Sequence, residues 1–310
     1  MIYTVTLNPA LDYVMELKDF AEGKLNRAAC TAIQPGGKGI NVSCILHQLG
    51  VPTCAICLAA GFTGEKLQQN LADQNINTDF IFLPEGMTRI NVKLKTQKDE
   101  GSRTETEINA AGPTVTEQAK ETLLSRLDQL IQGDILVLSG SVAKGFSPGI
   151  YKEMLERVQE RGISAAVDAQ GELLLQSLRY HPFLIKPNLA ELQELWGRKI
   201  QTKEDLQQAA RSLREKGAEN ILVSLGAQGA VLFAKDGKIY RRPAPKGKLL
   251  NSVGAGDSML AGFLAEYLKT KDFSLALDMG IAAGSATAFS EGLADREKIM
   301  ELFCGDKRNV

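Results

Sequence analysis

Histidine is nearly absent: the 310 residues contain two, His47 and His181. His47 lies in the helical run NVSCILHQLG and His181 precedes Pro182. Neither has a partner spaced for a metal site or a catalytic triad, so both read as structural. Cysteine is sparse and odd in number, at Cys30, Cys44, Cys54, Cys57 and Cys304. An odd count without a secretory signal argues against a disulfide framework and fits a reducing cytoplasm. Cys54 and Cys57 match C-x-x-C by letter, but they lie in the apolar run VPTCAICLAAG, which reads as a buried strand. No second cysteine pair follows at a zinc-like spacing, so these thiols are expected to pack as small core residues. Neither charge sign is in excess, the net charge being −1. That excludes bulk attraction to nucleic acid or an anionic membrane, and any anion must be held by local charge placement. No apolar run is long enough to span a bilayer. The opening MIYTVTLNP reads as a first strand and not as a signal peptide.

Short apolar strands alternating with amphipathic helices make up the rest. Strands are expected at Ile2–Leu7, Thr53–Ala59, Ile135–Ser139, Ser164–Asp168, Phe183–Lys186, Asn220–Ser224 and Ala230–Ala234. Helices are expected at Gly39–Leu49, Gly64–Gln74, Glu117–Leu130, Pro148–Glu160, Leu189–Leu195, Lys203–Lys216, Asp257–Lys269 and Ser274–Glu291. The alternation argues for an α/β fold with a parallel sheet covered on both faces. Ligands then bind beyond the carboxyl ends of the strands. Tyr13–Phe20, Ala28–Ile33, Arg89–Gln97 and Arg103–Ile108 break the alternation, with a turn at Lys98–Gly101. They suggest a small separate sheet that acts as a lid and offers a dimer surface.

Five stretches carry candidate chemistry. In NSVGAGDS at 251–258, Gly254, Ala255 and Gly256 let the backbone approach a ligand and open a helix, DSMLAGFLAEYL. The free N–H groups and the macrodipole there favour an anion. Asp257 is either the cap of that helix or a base for a substrate hydroxyl. In PGGKGIN at 35–41 the Walker pattern fails, because Gly39 follows Lys38, and the dinucleotide fingerprint fails at Val42. Gly36, Gly37 and Gly39 still permit close approach, with Lys38 and Asn41 offering a cation and an amide. In KPNLAE at 186–191, Asn188 and Glu191 share one face of a helical turn. They form either a capping pair or a site that orders the waters of a magnesium ion. In SLGAQG at 224–229, two glycines at a strand end can pass close to a nucleotide. Asp12 ends the first extended stretch and can accept from two sugar hydroxyls. The basic residues Lys24, Arg27, Arg89, Lys93 and Arg103 lie on the expected lid, where one or two are suited to a phosphate.

Taken in this order, the stretches resemble the ribokinase-like sugar kinases, in the phosphofructokinase-B branch, over essentially the whole chain. GGKGINVS at 36–43 and NSVGAGDSMLAGF at 251–263 carry most of the resemblance, with KPNLAEL and SLGAQG adding to it. TLNPALD, RINVKLK and TEINAAGP are most similar to the 1-phosphofructokinase group, and tagatose-6-phosphate kinases share GGKG and the first strand. The resemblance implies a ribokinase-like three-layer sandwich with a mainly parallel sheet and a small β-sheet lid. It implies one kinase domain over residues 1–310, with lid segments about 12–34 and 88–110. It also implies transfer of phosphate from ATP, with magnesium, to the C6 hydroxyl of fructose 1-phosphate. Asp257 matches the family's base, and Gly254, Ala255 and Gly256 its anion hole. Asp12, Gly37, Lys38 and Asn41 match sugar contacts. Arg89 and Ser139 match the substrate-phosphate side. Lys24 or Arg27 would reach a neighbouring subunit's site in a homodimer paired through the lid. Lys186, Asn188, Ser224, Gly226, Gly229, Leu249, Ile281 and Ser285 match nucleotide contacts. SGSVAKG at 139–145 departs from the pattern, with Ala143 and Lys144 where relatives often carry two prolines. A non-catalytic sugar-phosphate sensor is the reading from another class, and the intact GAGD speaks against it.

Overall fold

A computed structural model describes residues 1–97 and 103–306. In chain order the elements are β1 (Ile2–Thr6), β2 (Ala10–Leu17), β3 (Cys30–Gly36), α1 (Lys38–Gln48), β4 (Thr53–Ala60), α2 (Gly61–Asp73), β5 (Thr78–Leu83), β6 (Arg89–Gln97), β7 (Arg103–Ile108) and α3 (Glu117–Leu127). There follow β8 (Ile135–Ser139), α4 (Ile150–Val158), β9 (Ser164–Asp168), α5 (Gly171–Ser177), β10 (Leu184–Ile185), α6 (Leu189–Trp196), α7 (Lys203–Glu215), β11 (Asn220–Ser224), β12 (Ala230–Phe233), β13 (Ile239–Arg242), α8 (Ala255–Thr270), α9 (Phe273–Ala288) and α10 (Arg296–Asp306).

The larger sheet has the order β13-β12-β11-β10-β9-β8-β1-β4-β5 and is parallel from β11 to β5. β12 and β13 extend it antiparallel at one edge. Its central strands are mostly apolar and buried at nearly every position, as a sheet covered on both faces requires. Alternation sorts those residues into two cores. Leu136 and Leu138 pack with α3, α4, α6 and α7 residues such as Leu123, Met154, Leu192 and Leu213. Ile135 and Val137 pack on the other face with Val42, Leu260, Phe263 and Ala283 of α1, α8 and α9. Cys54 and Cys57 are buried in β4 as expected, and burial pushes the Cys54 thiol up to about 11 and the Cys57 thiol higher still. They are inert packing residues.

The four irregular strands form a second sheet, ordered β3-β2-β6-β7. β2 begins at Ala10, earlier than the expected Tyr13, because only a bend at Leu7 and Asn8, followed by Pro9, separates it from β1. The expected turn at Lys98–Gly101 lies outside the described residues. Periodicity overlooks β5, a half-exposed edge strand; β13, whose IYRR reads as polar; and the short α5 and the terminal α10.

Candidate functional site

Five adjacent parallel strands end at one place. Across the sheet, Ser224, Lys186, Asp168, Ser139 and Thr6 stand at or just past the carboxyl ends of β11, β10, β9, β8 and β1, and all line a single cavity of about 660 Å³. This is where ligands sit in open parallel sheets. The second sheet covers the cavity with Asp12, Arg89, Asn91 and Lys93.

Two helices aim their N-termini at it. α1 starts after Gly37 at φ 127° and α8 after Gly254 at φ 78°, both in the region glycine tolerates, and no side chain caps either helix. Their first-turn N–H groups therefore stay available to an anion. The turn before α8 is set by Asn251, which accepts from Val253 N at 3.1 Å and donates to the Val253 carbonyl. Ser258 donates to the Gly254 carbonyl and shares a hydrogen bond with Thr287 of α9, fixing the helix start on its neighbour.

Of the two readings of Asp257, the structure disfavours the cap. It is the third residue of α8, Gly254 is the cap, and its carboxylate accepts from Asn41 Nδ2 at 2.8 Å. The side chain is 5% exposed. Its pKa is pushed up to about 6, first by burial and then by the charge of Asp168, against the pull of Lys38, Asn41 and Lys186. Motif reading misses Asn91 of β6 and, at the centre of the site, Asp168. Asp168 is 1% exposed and lies 3.3 Å from Lys38 Nζ and 3.4 Å from Lys186 Nζ. Burial alone would raise its pKa, but Lys186 and Lys38 outweigh that and hold it below the ordinary carboxylate value. Lys38 is correspondingly raised: burial opposes this, and Asp168, Asp257 and Glu191 prevail. The available signal was one charged residue ending the apolar strand SAAVD at a ligand-binding edge. Lys186 also approaches α8, since a methyl built on Gly256 would lie 3.1 Å from its Nζ.

Asp12 accepts from Asn91 and pairs with Lys93 at 2.7 Å. Arg89 donates Nε and Nη2 to the Asn8 carbonyl and Nη1 to that of Ala110. Two of its five N–H groups remain for a ligand. Of the expected lid cations, Arg89 and Lys93 line the cavity, whereas Lys24 and Arg27 are exposed on the β2–β3 connection.

Asn188 and Glu191 form a reciprocal capping box on α6, with bonds of 2.9 and 2.8 Å, and Gln170 donates to the other Glu191 oxygen at 2.7 Å. Both residues still face the cavity. Among the described residues no group of three or more His, Cys, Asp or Glu forms a direct metal cage. Each Glu191 oxygen keeps one lone pair, which suits a hydrated magnesium ion bound through water. Gly226 and Gly229 shape the β11–β12 turn, Ile281 and Ser285 are buried in α9, and Leu249 is 64% exposed beside the second sheet. All five lie outside the cavity, as does Ala255.

The chain is similar to known proteins over nearly its whole length. The 1-phosphofructokinase of Bacillus subtilis is 42% identical over 302 residues, covering 97% of each chain. The D-tagatose-1-phosphate kinase of Bacillus licheniformis is 35% identical over 300 residues, covering 96% of each. Phosphofructokinase-2 from Escherichia coli, solved in complex with substrates and products, superposes with a TM-score of 0.92 at 29% identity and 98% coverage of each chain. An Arabidopsis thaliana ribokinase shares the fold, with a TM-score of 0.72 at 20% identity. The sequence profile of the pfkB family carbohydrate kinases matches residues 5–299, and the chain belongs to that family.

Proposed function

We propose that this kinase transfers the γ-phosphoryl group of ATP to the C6 hydroxyl of fructose 1-phosphate, giving fructose 1,6-bisphosphate. The observation that carries the reading is Asp257: a buried carboxylate with a raised pKa at the open N-terminus of α8, inside the strand-end cavity. It accepts the hydroxyl proton, and Asn41 fixes the carboxylate by its hydrogen bond. The N–H groups at Gly254–Asp257 and the ammonium of Lys186 neutralise charge on the moving phosphoryl oxygens. A loose transition state needs such positioning more than a strong base. Asp12 takes two sugar hydroxyls, and Lys38, Ser139 and the remaining N–H groups of Arg89 serve the sugar-phosphate side. Ser224 and Asn188 face the nucleotide, whose base extends toward Gly226, Gly229, Leu249, Ile281 and Ser285. Magnesium, held through water by Glu191 and Asn188, would neutralise the ATP phosphates.

The second sheet closes over this site and excludes water, so that residues 1–310 act as one kinase domain. It also offers a dimer surface. Ile33, Tyr13, Val92 and Ile108 are paired in register across β3, β2, β6 and β7. They lie on the face opposite Asp12 and Asn91. Ile33 is 51% and Ile108 58% exposed. Pairing of two lids there would bring Lys24 and Arg27 toward the partner's cavity. Ile108→Lys is expected to shift the protein from dimer to monomer in analytical ultracentrifugation. A wild-type monomer, or an unchanged dimer in the variant, would contradict this surface.

The name of the Bacillus licheniformis relative supports tagatose 1-phosphate as a second substrate reading. Measuring kcat/KM on fructose 1-phosphate, tagatose 1-phosphate, fructose 6-phosphate and tagatose 6-phosphate decides between them. Fructose 1-phosphate should lead. Preference for any of the others overturns the substrate, and tight binding without ATP turnover overturns catalysis in favour of a sensor.

A further inference from the structure

The cavity gathers buried polar atoms that the protein itself leaves unpaired. Among the described residues, Thr6 Oγ1, Asn8 Oδ1, Asn91 Oδ1 and Ser139 Oγ find no hydrogen-bond partner, and all four residues line it. Buried polar groups are almost always satisfied, so a cluster of exceptions at one place marks where a ligand completes them. Asn91 is the most constrained of the four. It is 6% exposed, and its Nδ2 donates to Asp12 Oδ1 at 2.9 Å. A carboxylate oxygen only accepts, so the amide orientation is fixed and Oδ1 is the branch left over. Asp12 is clamped in turn. Lys93, itself 7% exposed, places Nζ 2.7 Å from Asp12 Oδ2. Behind the carboxyl group, a methyl built on Gly36 would lie only 2.7 Å from Asp12 Cγ.

We infer that Asn91 Oδ1 accepts a hydrogen bond from a sugar hydroxyl beside those taken by Asp12, and that Lys93 is a positioning residue that holds Asp12 in place. The inference rests on the reading of the cavity as a sugar-phosphate site and deepens it. The ligand class it selects is a polyhydroxy phosphate with one more hydroxyl donor than Asp12 alone requires. Lys93 offsets the Asp12 charge, so that an anionic substrate meets a neutral pair there. A site built around a hydroxyl rejects an analogue lacking it, because its buried acceptor is then left unpaired.

The test measures kcat and both KM values for wild type, Asn91→Leu, Lys93→Met and Lys93→Arg, with fructose 1-phosphate and its 3-deoxy and 4-deoxy analogues. Asn91→Leu should raise KM for fructose 1-phosphate on the order of tenfold to a hundredfold, with KM for ATP unchanged. Wild type should discriminate against at least one deoxy analogue, and Asn91→Leu should lose that discrimination. Lys93→Met should lower kcat/KM for the sugar alone, and Lys93→Arg should restore part of it. An unchanged sugar KM in Asn91→Leu overturns the inference. So does equal wild-type kcat/KM on the parent and both analogues, which needs no variant to fold. Wild type that turns over no ketohexose phosphate sinks the functional reading and this inference with it.

Discussion

Replacing Asp257 by asparagine is expected to lower kcat by roughly 10²–10⁴-fold, the usual worth of a general base, while ATP still binds. The same change should make the protein more stable near neutral pH. The carboxyl pKa rises from its ordinary 3.8 to about 6 in the folded state, chiefly through burial. The folded chain therefore holds that proton more tightly than the unfolded chain. The stability this confers is fully present below pH 3.8 and is lost as pH rises through about 6. Above that, the buried charge costs up to about 3 kcal/mol, which asparagine avoids. Thermal unfolding at pH 8 should show the variant above wild type, with the gap closing below pH 4. In wild type, kcat/KM should fall on the acid side with a midpoint near 6 as the base is protonated. Activity of Asp257→Asn within several-fold of wild type would remove Asp257 from the role of base.

Asp168→Leu is expected to cost about 3–5 kcal/mol of stability, because it leaves the buried Lys186 ammonium without its counter-charge. Lys186 is 5% exposed, and Lys38 loses the same partner. The Asp168 carboxyl sits below its ordinary value of 3.8, so its stabilising contribution is present above that pH and lost as the carboxylate is protonated at lower pH. The substitution also removes one of the two influences that raise Asp257. The acid limb of kcat/KM should therefore move below 6 in whatever activity remains. Chemical denaturation of the variant and its pH–rate profile check the two effects separately. A midpoint and profile equal to wild type would show that the Lys38–Asp168–Lys186 bridge carries no weight.

Much of this site is legible in the sequence where backbone geometry dictates residue type. GGKG and GAGD mark two glycine-started helices, and both helices begin within a residue or two of the expected place. The alternation in RINVKLK places Arg89, Asn91 and Lys93 on one face, and all three line the cavity. Less legible is any role that depends on contacts between distant segments. Asp168 becomes a candidate only when β9 lies between β8 and β10, with Lys38 and Lys186 on either side. The KPNLAE stretch carried two readings, and the capping box is present with both side chains still facing the cavity, so one reading does not displace the other. β5 and β13 stay hidden because edge strands are half-exposed and lack the apolar run of the central strands.

The most direct test of the account is to follow wild-type protein with fructose 1-phosphate and magnesium ATP by ³¹P NMR. The account predicts one new phosphoester, on C6, formed in equal amount to ADP. ADP released without a sugar ester, or an ester at any other carbon, would contradict it.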